Sequence, residues 1–176
     1  MEMNFCMQCG GKLRPRPHPG EGHNIPWCDA CSAYRYPIFN TAVSMVVMDE
    51  ARERVLLIRQ YGRPHWVLVA GYVNQGEDAE EAAVRETAEE LGMTVSSLRF
   101  NRSHYFAPSN TLMLNFTATV REPVPTPNGE VDDWSWFPVE EARKAIKPGS
   151  LAQAFLNGSF DGVYSFPGGG GHAGKQ

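Results

Sequence analysis

The sequence has no long apolar run and no excess of basic residues. None of its apolar stretches approaches the roughly 20 residues needed to cross a bilayer. Residues 1–10 lack the basic and apolar regions of a secretory signal peptide. The formal net charge of −4 provides no general attraction for nucleic acid or for an anionic membrane surface. We therefore expect a cytoplasmic protein that has neither a membrane partner nor a general nucleic-acid partner.

Cysteine is absent after residue 31, because all 4 cysteines lie in two pairs near the N-terminus. Cys6 and Cys9 form one C-x2-C pair, Cys28 and Cys31 form the other, and 18 residues separate the pairs. This spacing is typical of zinc sites, because two such pairs supply the four thiolates of a closed, structural tetrahedron. Two disulfides or four free thiols are the alternatives, and disulfides are disfavoured without a secretory signal.

The chain of 176 residues suits one main domain with a small appendage. We predict a zinc ribbon over residues 1–36, a main domain over 37–160, and a disordered glycine-rich tail over 161–176. His18 and His23 lie inside the ribbon, where we expect exposed loop positions because four cysteines already fill the tetrahedron. The pattern of apolar residues predicts strands over 41–48, 54–60, 66–70, 95–105, 112–120 and 134–137. It also predicts helices over 78–91, 138–147 and 151–156, so the fold class is α+β.

Three glutamates recur on one face of the first predicted helix. Glu86, Glu89 and Glu90 stand at offsets 0, 3 and 4, which places them within about 100° of arc. Like charges this close repel one another, and hard carboxylate oxygens suit Mg²⁺ or Mn²⁺. Arg85 is the one basic residue beside them and is a candidate for orienting these carboxylates. A solvated acidic helix face is the plain alternative for such a run.

Residues 71–93 read GYVNQGEDAEEAAVRETAEELGM and resemble the Nudix box throughout. The matching positions include Gly71, Glu77, Arg85-Glu86, Glu89-Glu90 and Gly92. The resemblance implies a Nudix α/β/α sandwich with a mixed sheet and a metal-dependent hydrolase. In that family the glutamates hold the catalytic metal, and Glu90 is our first choice for the general base. Thr87 departs from the pattern, since the family usually has a bulky aliphatic residue there.

A zinc ribbon before a Nudix domain resembles the NADH pyrophosphatase group, which cleaves NAD(H) to nicotinamide mononucleotide and AMP. Residues 147–156 read KPGSLAQAFL and resemble a second segment of that group. The resemblance implies that a backbone group at Ala152 lies near the metal and phosphates. It also implies that Glu130 completes the metal site, with Asp133 as a weaker candidate.

The segment that marks the NADH group is altered here to Ser-His-Tyr-Phe-Ala-Pro-Ser over residues 103–109. An aromatic ring remains at Phe106, and Tyr72 follows Gly71, so both rings are candidates for stacking on a base or nicotinamide. Ordinary core packing is the alternative for each ring. The candidate substrate-binding residues are thus Gly71, Tyr72, Phe106 and Ala152. Further candidates for contact with phosphate or substrate are Arg59, Arg63, His65 and His104, for which solvated surface positions are the alternative.

Several substrates share the cleavable linkage. ADP-ribose, FAD, dinucleoside polyphosphates and NAD-capped RNA ends remain open beside NAD(H). A Nudix module that binds a nucleotide without cleaving it is the alternative outside enzymes, and a homodimer also stays open.

Overall fold

The computed structural model describes residues 3–121 and 124–167. The N-terminal unit is a three-stranded antiparallel sheet of β1 (Arg14–Pro17), β2 (Asn24–Cys28) and β3 (Ala33–Tyr34). Residues 35–39 lead from this ribbon into the main sheet. The main sheet contains β4 (Asn40–Met48), β5 (Arg54–Gln60), β6 (Val69–Tyr72), β7 (Val95–Phe106), β8 (Thr111–Val120) and β9 (Val131–Pro138). The helices are α1 (Ala79–Leu91), α2 (Val139–Ala145) and α3 (Leu151–Asp161), with a short 3₁₀ turn at Ala107–Ser109.

Strand β4 lies at the centre of the six-stranded sheet. Five strands follow the order β7-β8-β4-β5-β9, and the sixth, β6, also pairs with β4. β4 pairs with β8 in parallel over its whole length and with the remaining neighbours in antiparallel fashion. Its other edge is shared, because β6 pairs with residues 42–45 and β5 pairs with residues 47–48. The predicted mixed sheet is therefore confirmed.

Alternation along β4 divides the core into two layers, since successive side chains of a strand point to opposite faces. Val43, Met45 and Val47 pack with Ala82, Ala83 and Leu91 of α1 on one face. Val46 and Met48 pack with Ala142 of α2 and with Phe155 and Leu156 of α3 on the other. The result is the expected α/β/α sandwich. None of the helices in the described part of the chain is long and apolar enough to span a bilayer.

Helix α1 has clear signals at both ends. The Asp78 N–H donates to the Glu81 side chain at 3.1 Å in a capping box, and Gly92 ends the helix at φ 65°. Thr87 is fully buried, and its hydroxyl donates to the Ala83 carbonyl at 2.7 Å. The departure from a bulky aliphatic residue is therefore accommodated, because the buried polar group has a partner.

The C-terminal region differs from the prediction at helix α3. The helix continues past the predicted end at residue 156 to Asp161, and Gly162 ends it at φ 71°. The chain then turns back onto the protein: Tyr164 lies over Gly158, and the Phe166 ring stacks on His104 with centroids 3.8 Å apart. Residues 161–167 of the predicted tail thus end a helix and pack on the sheet. Residues 168–176, which hold the glycine run, lie outside the described residues.

Gly158 provides a test of this packing. Alanine usually stabilises the interior of a helix by about 0.5–1 kcal/mol relative to glycine. A Cβ at Gly158 would overlap the Tyr164 ring, so we expect Gly158→Ala to destabilise the protein by about 1–3 kcal/mol instead. Thermal unfolding measures the difference, with Gly129→Ala as the control because a Cβ at Gly129 meets no atom within 4 Å. A melting temperature above that of the wild type would contradict the packing of residues 162–167.

Candidate active site and candidate zinc centre

The four cysteines converge as their spacing predicts. Their sulfur atoms all lie within 4.8 Å of one another, with Cys6 Sγ 3.9 Å from Cys31 Sγ and Cys9 Sγ 3.5 Å from Cys28 Sγ. A zinc–sulfur bond of about 2.3 Å in a tetrahedron places neighbouring sulfurs about 3.8 Å apart. All four are free thiols, so the disulfide alternative is not observed. The arrangement is consistent with a zinc ribbon.

The surroundings of the cysteines also fit a bound cation. Arg35 Nε donates to Cys6 Sγ at 3.1 Å, which lowers the pKa of the Cys6 thiol to about 6 and favours the thiolate that zinc binds. Hydrogen bonds with the other cysteines, together with burial, raise the pKa of Cys31 to about 12. Four thiolates therefore cannot share this space unless a cation neutralises them. Neither His18 nor His23 belongs to the cluster, as expected.

Gly71 and Glu86 meet at the end of β6. A Cβ at Gly71 would overlap the carboxylate of Glu86, so only glycine lets this carboxylate lie against the strand. The side chain of Glu86 is mostly buried, at 14% exposed. The role of Gly71 is thus to make room for a candidate metal ligand.

Arg85 connects the loop before α1 to the glutamates on the helix. Its guanidinium donates to both oxygens of Glu77 at 2.6 and 2.9 Å, to Glu86 Oε1 at 2.8 Å and to Glu89 Oε2 at 3.0 Å. It also donates to the Tyr72 carbonyl at 3.0 Å. The hydrogen bonds from Arg85 lower the pKa of Glu77 to about 2, so Glu77 stays charged. These bonds make Arg85 a candidate positioning residue for Glu86 and Glu89.

Glu90 is the most deeply buried of the candidate carboxylates. It is 4% exposed, and its Oε2 atom has no hydrogen-bond partner. Burial, reinforced by the charges of Glu86, Glu130 and Glu89, raises the pKa of Glu90 to about 8. A buried carboxylate oxygen without a partner, surrounded by further carboxylates, fits a hard divalent cation such as Mg²⁺ or Mn²⁺.

Glu130, which directly precedes β9, lies near the carboxylates of α1. Tyr61 donates its hydroxyl to Glu130 Oε2 at 2.6 Å, and this bond raises the pKa of Tyr61 to about 12. The charges of Glu90 and Glu86 raise it further, so all three carboxylates lie near the tyrosine. Asp133 is engaged elsewhere, because it pairs with Arg59 at 3.3 Å.

The four glutamates are near neighbours without forming a closed ligand set. Among the described residues, only the cysteines bring three or more ligand atoms within 4.8 Å of one another. Arg85 holds Glu86 and Glu89, and Tyr61 holds Glu130, so several carboxylates must turn toward a shared ion. This arrangement suits Mg²⁺, which is usually bound by few carboxylates together with substrate phosphates and water.

The candidate stacking rings lie on the sheet face that is covered by α2 and α3. The strand register places Tyr72, Ala42, Met113 and His104 in one row across β6, β4, β8 and β7. Three strand spacings separate Tyr72 from His104, which is about 14 Å. Phe106 follows His104 by two residues and so lies on the same face. The two rings are too far apart to enclose one base, but each is placed to stack on a separate flat group.

Three of the predicted contact residues also contact other parts of the protein. The His104 ring is stacked on Phe166, and Arg59 lies over the Trp66 ring at 4.0 Å in addition to its ion pair. Ala152 lies in the first turn of α3 and packs against the core of the same sheet face. Sequence reasoning missed Tyr61 and the clamp made by Glu77. The signal for Glu77 was its fixed place in the box, whereas no local pattern marks Tyr61.

Comparison with known proteins identifies the family. The family model described as NUDIX domain matches residues 39–156, and the chain belongs to the Nudix family of hydrolases. It is 34% identical over 152 residues to Nudix hydrolase 19, chloroplastic, of Arabidopsis thaliana, covering 81% of this chain and 34% of that protein. It is 27% identical over 165 residues to the NAD-capped RNA hydrolase NudC of Vibrio atlanticus, and the match covers 92% of this chain and 59% of that protein. The protein of that name in Pseudomonas aeruginosa is 30% identical over 159 residues, covering 87% and 54%.

The chain thus spans between about a third and three fifths of the length of these curated relatives. Among solved structures, a NUDIX hydrolase from Nitrosomonas europaea gives a TM-score of 0.63 at 23% identity, covering 93% of this chain and 96% of that chain. The NUDIX domain of Shewanella oneidensis NrtR, complexed with ADP ribose, gives a TM-score of 0.56 at 18% identity. The match covers 69% of this chain and 84% of that chain. At these identities the likeness shows the fold alone.

Zinc content tests the cysteine cluster. We expect about one zinc ion per chain, because the four thiols fit one closed tetrahedron. Elemental analysis of protein purified without added zinc measures this, and Cys31→Ser should lower the content sharply. His23→Asn is the matched control and should leave the content unchanged. Zinc-free protein with cystine bridges in mass spectra would contradict the assignment.

Glu90 predicts a particular dependence of stability on pH when Mg²⁺ and Mn²⁺ are absent. Its folded pKa of about 8 lies above the ordinary value of 4.5, so its contribution to stability is full below pH 4.5 and is lost as pH rises toward 8. Glu90→Gln removes the charge and nearly keeps the shape. We therefore expect the variant to melt several degrees above the wild type at pH 8, and the two to melt together at pH 4.5.

The control for this measurement is Glu50→Gln, which alters an exposed loop carboxylate and should leave the melting temperature unchanged at both pH values. A Glu90→Gln variant that melts below the wild type at pH 8 would show that the buried carboxylate is not destabilising. Added Mg²⁺ should raise the melting temperature of the wild type more than that of the variant.

Proposed function

We propose that the chain is a metal-dependent pyrophosphohydrolase that cleaves the pyrophosphate of a dinucleotide-type substrate, NAD(H) foremost, to nicotinamide mononucleotide and AMP. The observation that carries this proposal is Glu90, a buried carboxylate with an unpartnered oxygen among Glu86, Glu89 and Glu130. A buried carboxylate that serves only the fold is normally paired, because an unpaired buried charge destabilises the protein. Its retention is explained by a ligand that arrives with compensating positive charge.

The roles of the residues follow from their surroundings. Glu86, Glu89, Glu90 and Glu130 would hold Mg²⁺ or Mn²⁺, which supplies positive charge for the pyrophosphate oxygens and helps to activate water. Glu90 is our candidate for the base that takes a proton from the attacking water, because its Oε2 atom is free to accept it. Arg85 keeps Glu86 and Glu89 in place, and Gly71 leaves room for Glu86.

Two observations support a dinucleotide. Tyr72 and Phe106 lie on one face of the sheet about 16 Å apart, three strand spacings across and two residues along, which suits a ligand that has a flat group at each end. Two of the relatives are named NAD-capped RNA hydrolases, so the linkage between nicotinamide and adenine nucleotides is our first choice. NAD-capped RNA ends are the second candidate for the same reason. ADP-ribose and FAD share the linkage and belong in the same test, and the cytoplasmic location and the homodimer remain proposals.

A substrate panel tests the function. Purified protein is incubated with Mg²⁺ or Mn²⁺ and with NADH, NAD, ADP-ribose, FAD, NAD-capped RNA and nucleoside triphosphates, and the nucleotide products are separated. We expect the highest kcat/KM with NAD(H). Values for ADP-ribose or FAD ten or more times higher would overturn the choice of NAD(H), and binding without turnover would favour the non-catalytic module.

Glu90→Gln distinguishes metal-assisted hydrolysis from contaminating activity. Loss of a metal ligand or base should lower kcat by at least ~10²-fold, while the fold is kept. Glu50→Gln serves again as the control and should retain full turnover. Near-normal turnover of Glu90→Gln at saturating metal would remove Glu90 from the mechanism.

Phe106→Ala tests the stacking role. Stacking contributes up to about 1.5 kcal/mol per ring beyond buried area, so the variant should raise KM for NADH by up to about tenfold and change kcat little. Phe100→Ala is a matched control on the opposite sheet face, since Phe100 contacts Phe116 in the α1 layer. An equal change in KM in both variants would point to a general effect on the sheet.

A further inference from the structure

A small cationic cavity lies next to the carboxylates. It measures about 200 Å³ and is lined by Gln60, Tyr61, Arg63, His65, Val67 and Lys147. The basic residues come from two segments, the loop after β5 and the residues after α2. These segments are joined where the Lys147 N–H donates to the Trp66 carbonyl at 2.9 Å. The volume is below the roughly 300–1,000 Å³ of pockets that hold a whole ligand, so the cavity suits one group of a larger molecule.

The basic side chains of this cavity have no acidic partner. Within residues 3–121 and 124–167, Arg63, His65 and Lys147 take part in none of the ion pairs. The neighbouring acids are already engaged, because Asp132 accepts the Gly62 N–H at 2.6 Å and Asp133 pairs with Arg59. Positive charge that converges without a direct ion pair favours an anion.

Tyr61 lies between this cavity and the carboxylates of the candidate active site. Tyr61 lines the cavity, and its hydroxyl donates to Glu130. The turn that carries it is left-handed, with φ 56° at Tyr61 and 66° at Gly62, a conformation that costs energy for a tyrosine. The Gly62 hydrogen bond to Asp132 helps to hold it. One tyrosine side chain therefore separates the cavity from the carboxylates that would hold the metal and the cleaved phosphates.

We propose that Arg63, His65 and Lys147 bind a phosphate group of the substrate other than the two of the cleaved pyrophosphate. Arginine and lysine are the usual donors to phosphate, and the imidazole adds a further N–H. The site then selects dinucleotides that carry an additional phosphate. This inference rests on the proposed pyrophosphohydrolase function and defines its substrate class more closely.

Two sources of the additional phosphate share this chemistry. One is a phosphate monoester on a ribose, as in NADPH. The other is the first phosphodiester of an RNA chain that follows an NAD cap. The cavity recognises the phosphate in both cases, so the test contains a substrate for each.

The experiment compares selectivity among wild type, Arg63→Gln, Lys147→Gln and Lys144→Gln. For each protein, kcat/KM is measured with NADH, NADPH and a short NAD-capped RNA, and each value is divided by that for NADH. A charged hydrogen bond contributes about 1.5–3 kcal/mol, so Arg63→Gln and Lys147→Gln should lower one ratio about tenfold or more. Lys144→Gln makes the same chemical change three residues away, outside the cavity, and should leave both ratios unchanged.

The ratio that falls identifies the source of the phosphate. Both ratios staying within about twofold of the wild-type values in the cavity variants would overturn the proposal, whereas hydrolysis of NADH by the same samples would leave the proposed function intact. If the wild type cleaves none of the three substrates, the proposed function fails, and the cavity is judged by calorimetric titration with inorganic phosphate. Binding that weakens about tenfold in Lys147→Gln but not in Lys144→Gln supports the site, and absence of binding to the wild type overturns it.

Discussion

The guanidinium of Arg85 is the interaction on which the site depends. One planar cation joins the loop before α1, the end of β6 and two turns of acidic helix through bonds to Glu77, Glu86, Glu89 and the Tyr72 carbonyl. Without it, Glu86 and Glu89 would repel each other on one helix face, and the loop after Tyr72 would lose its anchor. Because a guanidinium donates through several N–H groups in fixed directions, lysine cannot reproduce the pattern.

Around this clamp the protein leaves one group uncompensated. Arg85 reaches Glu77, Glu86 and Glu89, and Tyr61 reaches Glu130, but neither reaches Oε2 of Glu90. In Glu86, Glu89 and Glu130 the negative charge is already balanced, hydrogen-bonded or solvated. In Glu90 burial disfavours the charged form. That difference in environment distinguishes the candidate base from the ligands, although all four side chains are glutamates.

Local spacing predicted much of this arrangement. The capping box, the glycine that ends α1 and the shared face of Glu86, Glu89 and Glu90 follow from neighbours in sequence, and the cysteine pairs follow from one ligand geometry. Tyr61 did not follow, because its partner Glu130 is 69 residues away and only the register of β5 with β9 brings them together. The length of α3 was also missed, because Asn157-Gly158 has the composition of a helix end. Gly158 is instead needed where Tyr164 covers the helix.

The parallel pairing of β4 with β8 has a consequence for folding. The nine paired positions join residues 40–48 to residues 111–119, so the central pair of the sheet closes only after the intervening chain has been placed. Such long-range closure is slow compared with the formation of helices or hairpins. α1 lies within that crossover, and Glu90 leaves water as the helix docks on the sheet. Because burial raises the pKa of Glu90 to about 8, docking of α1 between about pH 4.5 and 8 is accompanied by the uptake of a proton, which links the folding equilibrium to the protonation of a single side chain.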